Sequence, residues 1–244
     1  MHELVANATF KVECGQSSGS GFSFRHESIV VTNDHVIQPL HASGAEIEVV
    51  TEQGQRFSAD LVARSPQDQL DFAILRLKDQ LPVERHVLQP AMSANLERGT
   101  SVIFAGYPHG VPDLLVHQAI ISGPASRIGF YVDGSVNGGN SGGPIVAADS
   151  GEVVGIVTQR RFMGGAQLDA LRQEVGQLSR HCQGVAGRGQ VVIMGVDFGA
   201  FARMMAGGFS VMDQLLQANA NSGIGIGFDI RHVNTEYTNQ GLPS

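Results

Sequence analysis

The sequence predicts an all-β protein of two successive strand-rich units, with a helical segment inserted late in the chain. Short apolar or β-branched runs of strand length alternate with turn residues as far as Thr158, and these runs form two series. The pattern then changes to helical spacing between Phe162 and Asn221. With 42% hydrophobic and only 16% charged residues among 244, the chain can bury a substantial core and is not intrinsically disordered.

The first unit is predicted from six apolar runs bounded by Gly, Asn, Asp, Ser or Pro, which favour turns. These runs are Phe22 to Phe24, Ser28 to Thr32, Glu46 to Val50, Arg56 to Val62, Phe72 to Leu77 and Ser101 to Ala105. Their length and spacing indicate a meander or a barrel. We place this unit at residues 1–112.

The second unit, residues 113–244, is predicted from four further runs with glycine-rich joints. They are Leu114 to Ser122, Ser126 to Val132, Pro144 to Ala147 and Glu152 to Thr158.

Two apolar stripes at helical spacing predict amphipathic helices within residues 162–221, the helical insert. The first stripe is Leu168, Leu171, Val175, Leu178 and Cys182, and the second is Phe209, Met212, Leu215, Leu216 and Ala220. Both stripes fit packing onto the chain's own barrels, or contact with a partner protein or a second copy.

Composition excludes several classes of function. A net charge of −7 without a basic run argues against nucleic-acid binding. The apolar stretch Val191 to Met212 carries Asp197 and Arg203, which argues against a membrane span. The N-terminus has no visible secretory signal, and the two distant cysteines match neither a disulfide framework nor a zinc site. We therefore expect a cytoplasmic protein. A periplasmic or secreted protein is the alternative if a leader has been trimmed.

The segment Asn137-Gly138-Gly139-Asn140-Ser141-Gly142-Gly143-Pro144 is the strongest local indication of chemistry. Glycines around a serine let the backbone turn tightly and let a substrate carbonyl approach consecutive N–H donors. A glycine-rich hairpin with an incidental serine fits the same pattern.

A serine nucleophile needs a base and a group that orients the base. His35 follows an apolar strand, and Asp71 directly precedes another, so both side chains are delivered to strand ends. On sequence grounds Asp34 and Asp68 compete with Asp71, and a lone histidine at a strand end is more often structural.

The ordered motifs together resemble the chymotrypsin-fold serine proteases, and within them the HtrA/Deg-type branch. The matching pieces are Gly19-Ser20-Gly21-Phe22, Thr32-Asn33-Asp34-His35-Val36, Asp71-Phe72-Ala73-Ile74-Leu75, Gly106-Tyr107-Pro108, Asp133 with the Ser141 segment, Gly155-Ile156-Val157-Thr158 and Gly225-Ile226-Gly227-Phe228. The resemblance implies two perpendicular six-stranded antiparallel barrels with a catalytic triad between them. The apolar stripes add to these a helical insertion after the last strands of the second barrel.

The resemblance also implies residue roles. His35 is the general base, Asp71 orients it and Ser141 is the nucleophile, while the backbone N–H groups of Gly139 and Ser141 form the oxyanion hole. Asn140 carries no charge to pair with a new N-terminal ammonium, which argues against zymogen-style activation and favours control by loop ordering.

The resemblance places the specificity pocket at Ser135 and Val136, with a wall of Thr158, Gln159 and Arg160. No carboxylate is present there to select Lys or Arg, so we expect small or medium aliphatic P1 residues. An acidic P1 residue attracted by Arg160 is the alternative.

Two departures from the family pattern stand out. The helical insert intervenes between the last predicted barrel strand and the segment Gly225-Ile226-Gly227-Phe228, next to the predicted pocket wall in sequence. There it fits a lid, an exosite or a surface for a regulatory protein or an oligomer contact. Because the sequence ends at Ser244, soon after Phe228, we also expect no PDZ domain of the kind common in that branch within these residues. A longer natural protein with that domain or a different one further on fits the same sequence.

The sequence therefore predicts a serine endopeptidase acting on polypeptides through an acyl-enzyme, regulated by loop ordering or a partner. The chemistry needs no metal or organic cofactor. The alternatives are a latent protease or pseudoprotease that serves as a binding scaffold activated by partner docking, and an esterase.

Overall fold

The computed structural model describes residues 1–244 apart from 82–84, 93–95, 126–127, 163–164, 188–191, 220 and 244. It does not describe the side chains of residues 159–162, 165–169, 193, 217–219 and 221–222.

Six antiparallel strands close the first barrel in the order β1-β2-β3-β6-β5-β4. They are β1 (Thr9–Cys14), β2 (Ser17–Phe24), β3 (His26–Thr32), β4 (Ile47–Val50), β5 (Arg56–Ser65) and β6 (Phe72–Leu77). Inward-facing apolar side chains such as Phe10, Val30 and Leu75 fill the interior. Since a closed barrel has no free edge, every strand has two partners.

A second closed barrel has the order β10-β11-β14-β9-β8-β7. Its strands are β7 (Ser101–Gly106), β8 (Leu115–Pro124), β9 (Gly129–Asp133), β10 (Pro144–Ala147), β11 (Val153–Phe162) and β14 (Asn221–Asp229). The all-β prediction of two six-stranded barrels is confirmed. The helical insert lies between β11 and β14, so the last strand follows it.

A further apolar cluster lies where the barrels meet, and two short helices contribute to it. Helices α1 (His2–Ala8) and α5 (Ile230–Asn239) contribute Val5, Val233 and Tyr237 to it, whereas α2 (Gln38–Ser43) packs Leu40 against the core of the first barrel. Phe24 from β2 packs edge-on against the buried Tyr237 ring, with centroids 5.7 Å apart.

The predicted strand positions agree well, with Phe72 to Leu77 and Pro144 to Ala147 correct at both ends. Strand β1 is missing from the prediction, because it begins directly after α1 and no Gly or Pro separates the two.

The predicted boundary at residue 112 needs correction. Strand β7 pairs with β8 and β10, so it belongs to the second barrel, and the chain crosses between barrels after Leu77 and before Ser101. The Pro- and Gly-containing segment 107–114 is a hairpin connection within the second barrel.

The helical insert forms a separate compact unit at Arg161–Ser222. It contains α3 (Gly165–Ala186), β12 (Val192–Ile193), β13 (Val196–Asp197) and α4 (Phe198–Asn219), and the two short strands pair with each other. Helices α3 and α4 pack together, and Arg172 Nε donates to Asp213 Oδ1 at 3.0 Å across them.

The predicted apolar stripes correspond only partly to the buried faces of these helices. Val175 is buried, but Leu171 and Leu178 on α3 are exposed, and so are Met212 and Leu215 on α4. The small residues Ala202 and Ala206 are buried on α4 instead, because they let the helices approach closely. Leu168 and Ala220 lie outside the described side chains.

None of the helices in the described part of the chain is long and apolar enough to cross a membrane.

His117 on β8 generates a pH prediction. Its ring stacks on Phe104 with centroids 4.7 Å apart, its Nε2 is buried without a described partner, and burial lowers its pKa from the ordinary value. As the pH falls below about 6.5, the unfolded chain therefore binds more protons than the folded one, and the free energy of unfolding falls. Urea unfolding from about pH 7.5 to 5 should show a smaller fall in His117→Phe, which keeps the stacked ring. Parallel pH curves for the two proteins would contradict this.

Candidate active site

His35 is held at the rim of the first barrel by a short turn after β3. The 3₁₀ turn Asp34–Ile37 buries Val36 and Ile37 in the barrel core, while the His35 side chain stays 24% exposed. The strand therefore ends by presenting an imidazole to the surface on a rigid support.

Asp71 lies immediately before β6 and is completely buried. Its carboxylate accepts three hydrogen bonds: from the His35 N–H at 3.1 Å to Oδ1, from His35 Nδ1 at 2.8 Å to Oδ2, and from Thr158 Oγ1 at 2.6 Å to Oδ2. Because a carboxylate only accepts, Nδ1 carries the proton. The neutral imidazole then keeps its basic lone pair on Nε2.

The Asp71 backbone is in the left-handed region, with φ +45, and neighbouring groups hold it there. Its N–H donates to the Pro66 carbonyl at 3.1 Å, and its carbonyl accepts from Asn33 Nδ2 at 2.6 Å. Hydrogen bonds therefore fix both the Asp71 carboxylate and the backbone that carries it.

The two competing aspartates lie elsewhere. Asp34 is buried beside Arg64 at 3.4 Å and His41 at 4.0 Å, and burial raises the pKa of its carboxyl group. Asp68 is exposed. Among the three candidates, Asp71 is the one bonded to His35.

Ser141 lies in the loop between β9 and β10 and is partly exposed. Its Oγ donates to the Thr158 carbonyl oxygen at 3.2 Å, so the single hydroxyl hydrogen is directed to the backbone of β11.

Two N–H groups of the serine loop have no acceptor in the described part of the chain. Within the described residues, neither the Gly139 nor the Ser141 N–H has an acceptor, whereas the N–H groups of Asn140 and Gly142 donate to the carbonyls of Asn137 (3.1 Å) and Val157 (2.7 Å). Two such N–H donors, on either side of Asn140 and next to a hydroxyl, can bind a developing oxyanion.

The predicted pocket residues are in different environments. Ser135 is exposed, whereas Val136 is 3% exposed and packs in the second barrel's core against Gly225. This differs from a pocket position open to solvent, and it arises because glycine at 225 leaves space that Val136 fills. Thr158 is also buried, and its hydroxyl is bonded to Asp71; Gln159 and Arg160 lie in β11, but their side chains lie outside the described residues.

Sequence reasoning missed several polar contacts around the site. Asn33 and Ser20 fall inside quoted motifs, but no role was assigned to them, nor to the Thr158 hydroxyl. For Ser20, the flanking Gly19 and Gly21 were an indication, because paired glycines in a strand mark close backbone approach.

In the described part of the chain, no cluster of three or more His, Cys, Asp or Glu side chains is arranged to hold a metal ion. Cys14 and Cys182 are free thiols.

Comparison with known proteins gives a consistent result. A family model described as the trypsin-like peptidase domain matches residues 19–156. "Serine protease HTRA1B" of Danio rerio is 30% identical over 173 residues, covering 66% of this chain and 34% of that protein. "Probable periplasmic serine endoprotease DegP-like" of Marinomonas sp. is 35% identical over 152 residues, covering 59% of this chain and 30% of that protein. The chain thus spans about a third of the length of these relatives.

A similar solved structure is the "serine endoprotease from Yersinia pestis", with 28% identity and a TM-score of 0.55. The match covers 65% of this chain and 56% of that one.

Close packing around the serine loop generates a stability prediction. A Cβ on Gly142 (φ +87) would overlap the Ser20 carbonyl oxygen and Thr32 Oγ1, whereas a Cβ on Gly54 (φ +81) would meet nothing within 4 Å. Gly54→Ala is expected to lose about 1–2 kcal/mol, the cost of a left-handed alanine. Gly142→Ala should lose more than about 4 kcal/mol of unfolding free energy in urea, because it also forces two buried segments apart. Equal losses would show that the loop has room to move.

Proposed function

The chain belongs to the trypsin-like peptidase family, and we propose that it is an HtrA-like serine endopeptidase with His35, Asp71 and Ser141 as its catalytic triad. The observation that carries the proposal is the buried Asp71 carboxylate bonded twice to His35, at 3.1 Å and 2.8 Å. Family membership makes peptide-bond hydrolysis the expected reaction, and this bonded pair supplies the base that a serine nucleophile requires.

In the proposed reaction, Ser141 Oγ attacks the scissile carbonyl carbon while Nε2 of His35 takes the hydroxyl proton. His35 returns that proton to the leaving amine as the C–N bond breaks, which leaves an acyl-enzyme ester. Water then attacks the ester carbonyl carbon while His35 takes its proton. His35 gives that proton to Ser141 Oγ as the acyl C–Oγ bond breaks, which releases the carboxylic acid product and regenerates the hydroxyl. Asp71 stays ionised and stabilises the imidazolium in both steps.

The hydroxyl of Ser141 must first leave the Thr158 carbonyl, to which it donates at 3.2 Å. Rotation about χ1 moves Oγ between staggered positions without moving the loop backbone. The tetrahedral oxyanion is then stabilised by the N–H groups of Gly139 and Ser141, and one such donor is typically worth about 10²–10³ in rate.

For specificity we propose a pocket whose base begins at Ser135 and the backbone of Val136, whose side chain is buried in the barrel core, and whose wall is the backbone of Thr158 with Gln159 and Arg160. The absence of a carboxylate among these five residues favours small or medium aliphatic P1 residues. Because the Thr158 hydroxyl already donates to Asp71, its part in the pocket falls to its backbone.

A latent protease that a partner activates is the second candidate. It is favoured by the resting Ser141 hydroxyl, which donates to Thr158 rather than to His35. Asn140 is consistent with control by loop ordering, since it is fully buried and its amide has no hydrogen-bond partner among the described residues. Such a loop offers no charge to a new N-terminus.

The helical insert is the proposed surface for a regulatory protein or an oligomer contact. Both of its helices expose large apolar side chains, including Leu171 and Leu178 on α3 and Phe201, Met204 and Leu215 on α4.

A cytoplasmic location stays a prediction, and the Marinomonas relative is named as periplasmic.

We expect a fluorophosphonate probe to label the wild type and not Ser141→Ala, because only an activated serine attacks phosphorus at a useful rate. Gel fluorescence after labelling measures this. His35→Ala should also lose labelling, while substitution of an exposed serine outside the site, Ser150→Ala, should keep it. Failure to label the wild type, with or without peptide substrates, would overturn the hydrolase proposal.

Profiling a mixed peptide library with the wild type beside Ser141→Ala extends the same test. Cleavage after small aliphatic residues fits the proposed pocket, and cleavage after Asp or Glu would assign Arg160 to it instead.

Deletion of the helical insert tests whether it docks folded protein substrates while the barrels carry out the hydrolysis. Because β11 and β14 are neighbours in the barrel, a short glycine-containing turn can replace residues 163–220. Turnover of short peptides is expected to persist, while kcat/KM for a folded protein substrate should fall about tenfold, as loss of about 1.4 kcal/mol of docking implies. Unchanged kinetics on both substrates would rule out a docking role.

A further inference from the structure

We infer that Ser20, a residue of the first barrel, is a positioning residue that holds the oxyanion hole open. The inference rests on the proposed function, since it assigns Ser20 to the hydrolytic site. Ser20 lies on β2 and is completely buried, and four of its polar contacts connect it to other segments.

The hydroxyl of Ser20 has a defined direction. It accepts from the Tyr107 N–H at 2.9 Å and donates to the Gly139 carbonyl oxygen at 2.7 Å. Since a backbone N–H is fixed by its peptide, its bond to Oγ directs the hydroxyl hydrogen toward Gly139. The Ser20 N–H also donates to the Ser141 carbonyl at 2.7 Å.

Every carbonyl from Gly138 to Ser141 is held by a donor. The Gly138 oxygen accepts from the His109 N–H at 2.7 Å and the Asn140 oxygen accepts from the Gly143 N–H at 3.0 Å, while Ser20 holds the oxygens of Gly139 and Ser141. In a trans peptide the C=O and N–H point in opposite directions. Holding the Gly138 and Asn140 oxygens therefore directs the N–H groups of Gly139 and Ser141 the other way, where neither meets an acceptor among the described residues.

Ser20 supplies the bonds that come from the other barrel. It is itself anchored there, because Thr32 Oγ1 donates to its carbonyl at 2.7 Å and β2 pairs with β1 at Lys11. Gly106 lies against it, where a Cβ would come within 2.7 Å of Ser20 Oγ. The serine loop of the second barrel is thus bonded to strand β2 of the first barrel.

Removing the hydroxyl would leave the Gly139 carbonyl and the Tyr107 N–H without their partner. The peptide between Gly139 and Asn140, which separates the two oxyanion donors, would then be held only by the Asn140 N–H bond to the Asn137 carbonyl at 3.1 Å. Rotation of this peptide reorients the flanking N–H groups of Gly139 and Ser141. The two N–H donors act on a charge that exists only in the transition state. The loss should therefore fall on kcat, with substrate binding preserved.

The test compares Ser20→Ala with Ser23→Ala. Ser23 is a matched control, because it is a fully buried serine on the same strand whose hydroxyl has no described partner. We expect Ser20→Ala to lower kcat on a peptide substrate about 10–100-fold with KM changed less than about twofold, and Ser23→Ala to match the wild type. In the Ser141→Ala background, addition of Ser20→Ala should leave the Kd of the same peptide unchanged.

Hydrogen exchange gives a readout that does not need activity. Amide deuterium uptake across residues 138–142 should be faster in Ser20→Ala than in Ser23→Ala or the wild type. Should Ser20→Ala not fold, Ser20→Cys keeps nearly the same shape with a weaker donor, and it should show intermediate kcat and exchange.

The outcomes separate the two proposals. Wild-type protein that neither cleaves nor labels overturns the proposed function, while exchange still decides whether Ser20 holds the loop. An active wild type whose Ser20 and Ser23 variants have equal kcat and equal exchange overturns the role of Ser20. A matching rise in KM and peptide Kd would also overturn it, since that result assigns Ser20 to substrate binding.

Discussion

The buried carboxylate of Asp71 is the interaction on which the site geometry depends. A charge removed from water is stable only when it is fully hydrogen-bonded, and here three donors from two barrels satisfy it. Two of the bonds come from His35 in the first barrel and the third from Thr158 in the second. The same carboxylate therefore orients the histidine and links the start of β6 to β11, while bonds to Pro66 and Asn33 hold its backbone at φ +45.

The serine loop is held almost entirely by backbone groups, and this explains where glycine is used. Gly142 and Gly143 lie so close to carbonyl oxygens of Ser20 and Ala105 that no side chain fits at either position. Packing of this kind transmits the rigidity of the barrels to a loop that has no regular structure. By contrast, a Cβ at Gly184, Gly207 or Gly208 in the insert would meet nothing within 4 Å, so close packing does not explain glycine at these three positions.

Much of the fold and the bonded His35–Asp71 pair were predictable, because both depend on local patterns. Turn residues bounded strands such as Phe72 to Leu77, and motifs identified His35 and Asp71 before their contact was known. Contacts of Ser20 and Thr158 were not predictable, because they form between segments that only the closed barrels bring together. The buried face of α4 was misjudged for a related reason: apolar residues line more than one side of that helix, and small residues at 202 and 206 decide which side packs.

The position of β14 has a consequence for how the molecule folds. This strand closes the second barrel by pairing with β9, in a register from Ile224 opposite Asp133 to Phe228 opposite Gly129, yet the whole insert separates it from β11. A chain emerging from the ribosome therefore exposes His35, Asp71 and Ser141 well before the barrel that carries Ser141 can close. Until β14 arrives, β9 and β11 are open edges available to other strands. The entropic cost of closing a loop rises only slowly with its length, by about 0.6 kcal/mol per doubling. The insert therefore postpones closure of the second barrel during synthesis but costs the closed barrel little free energy.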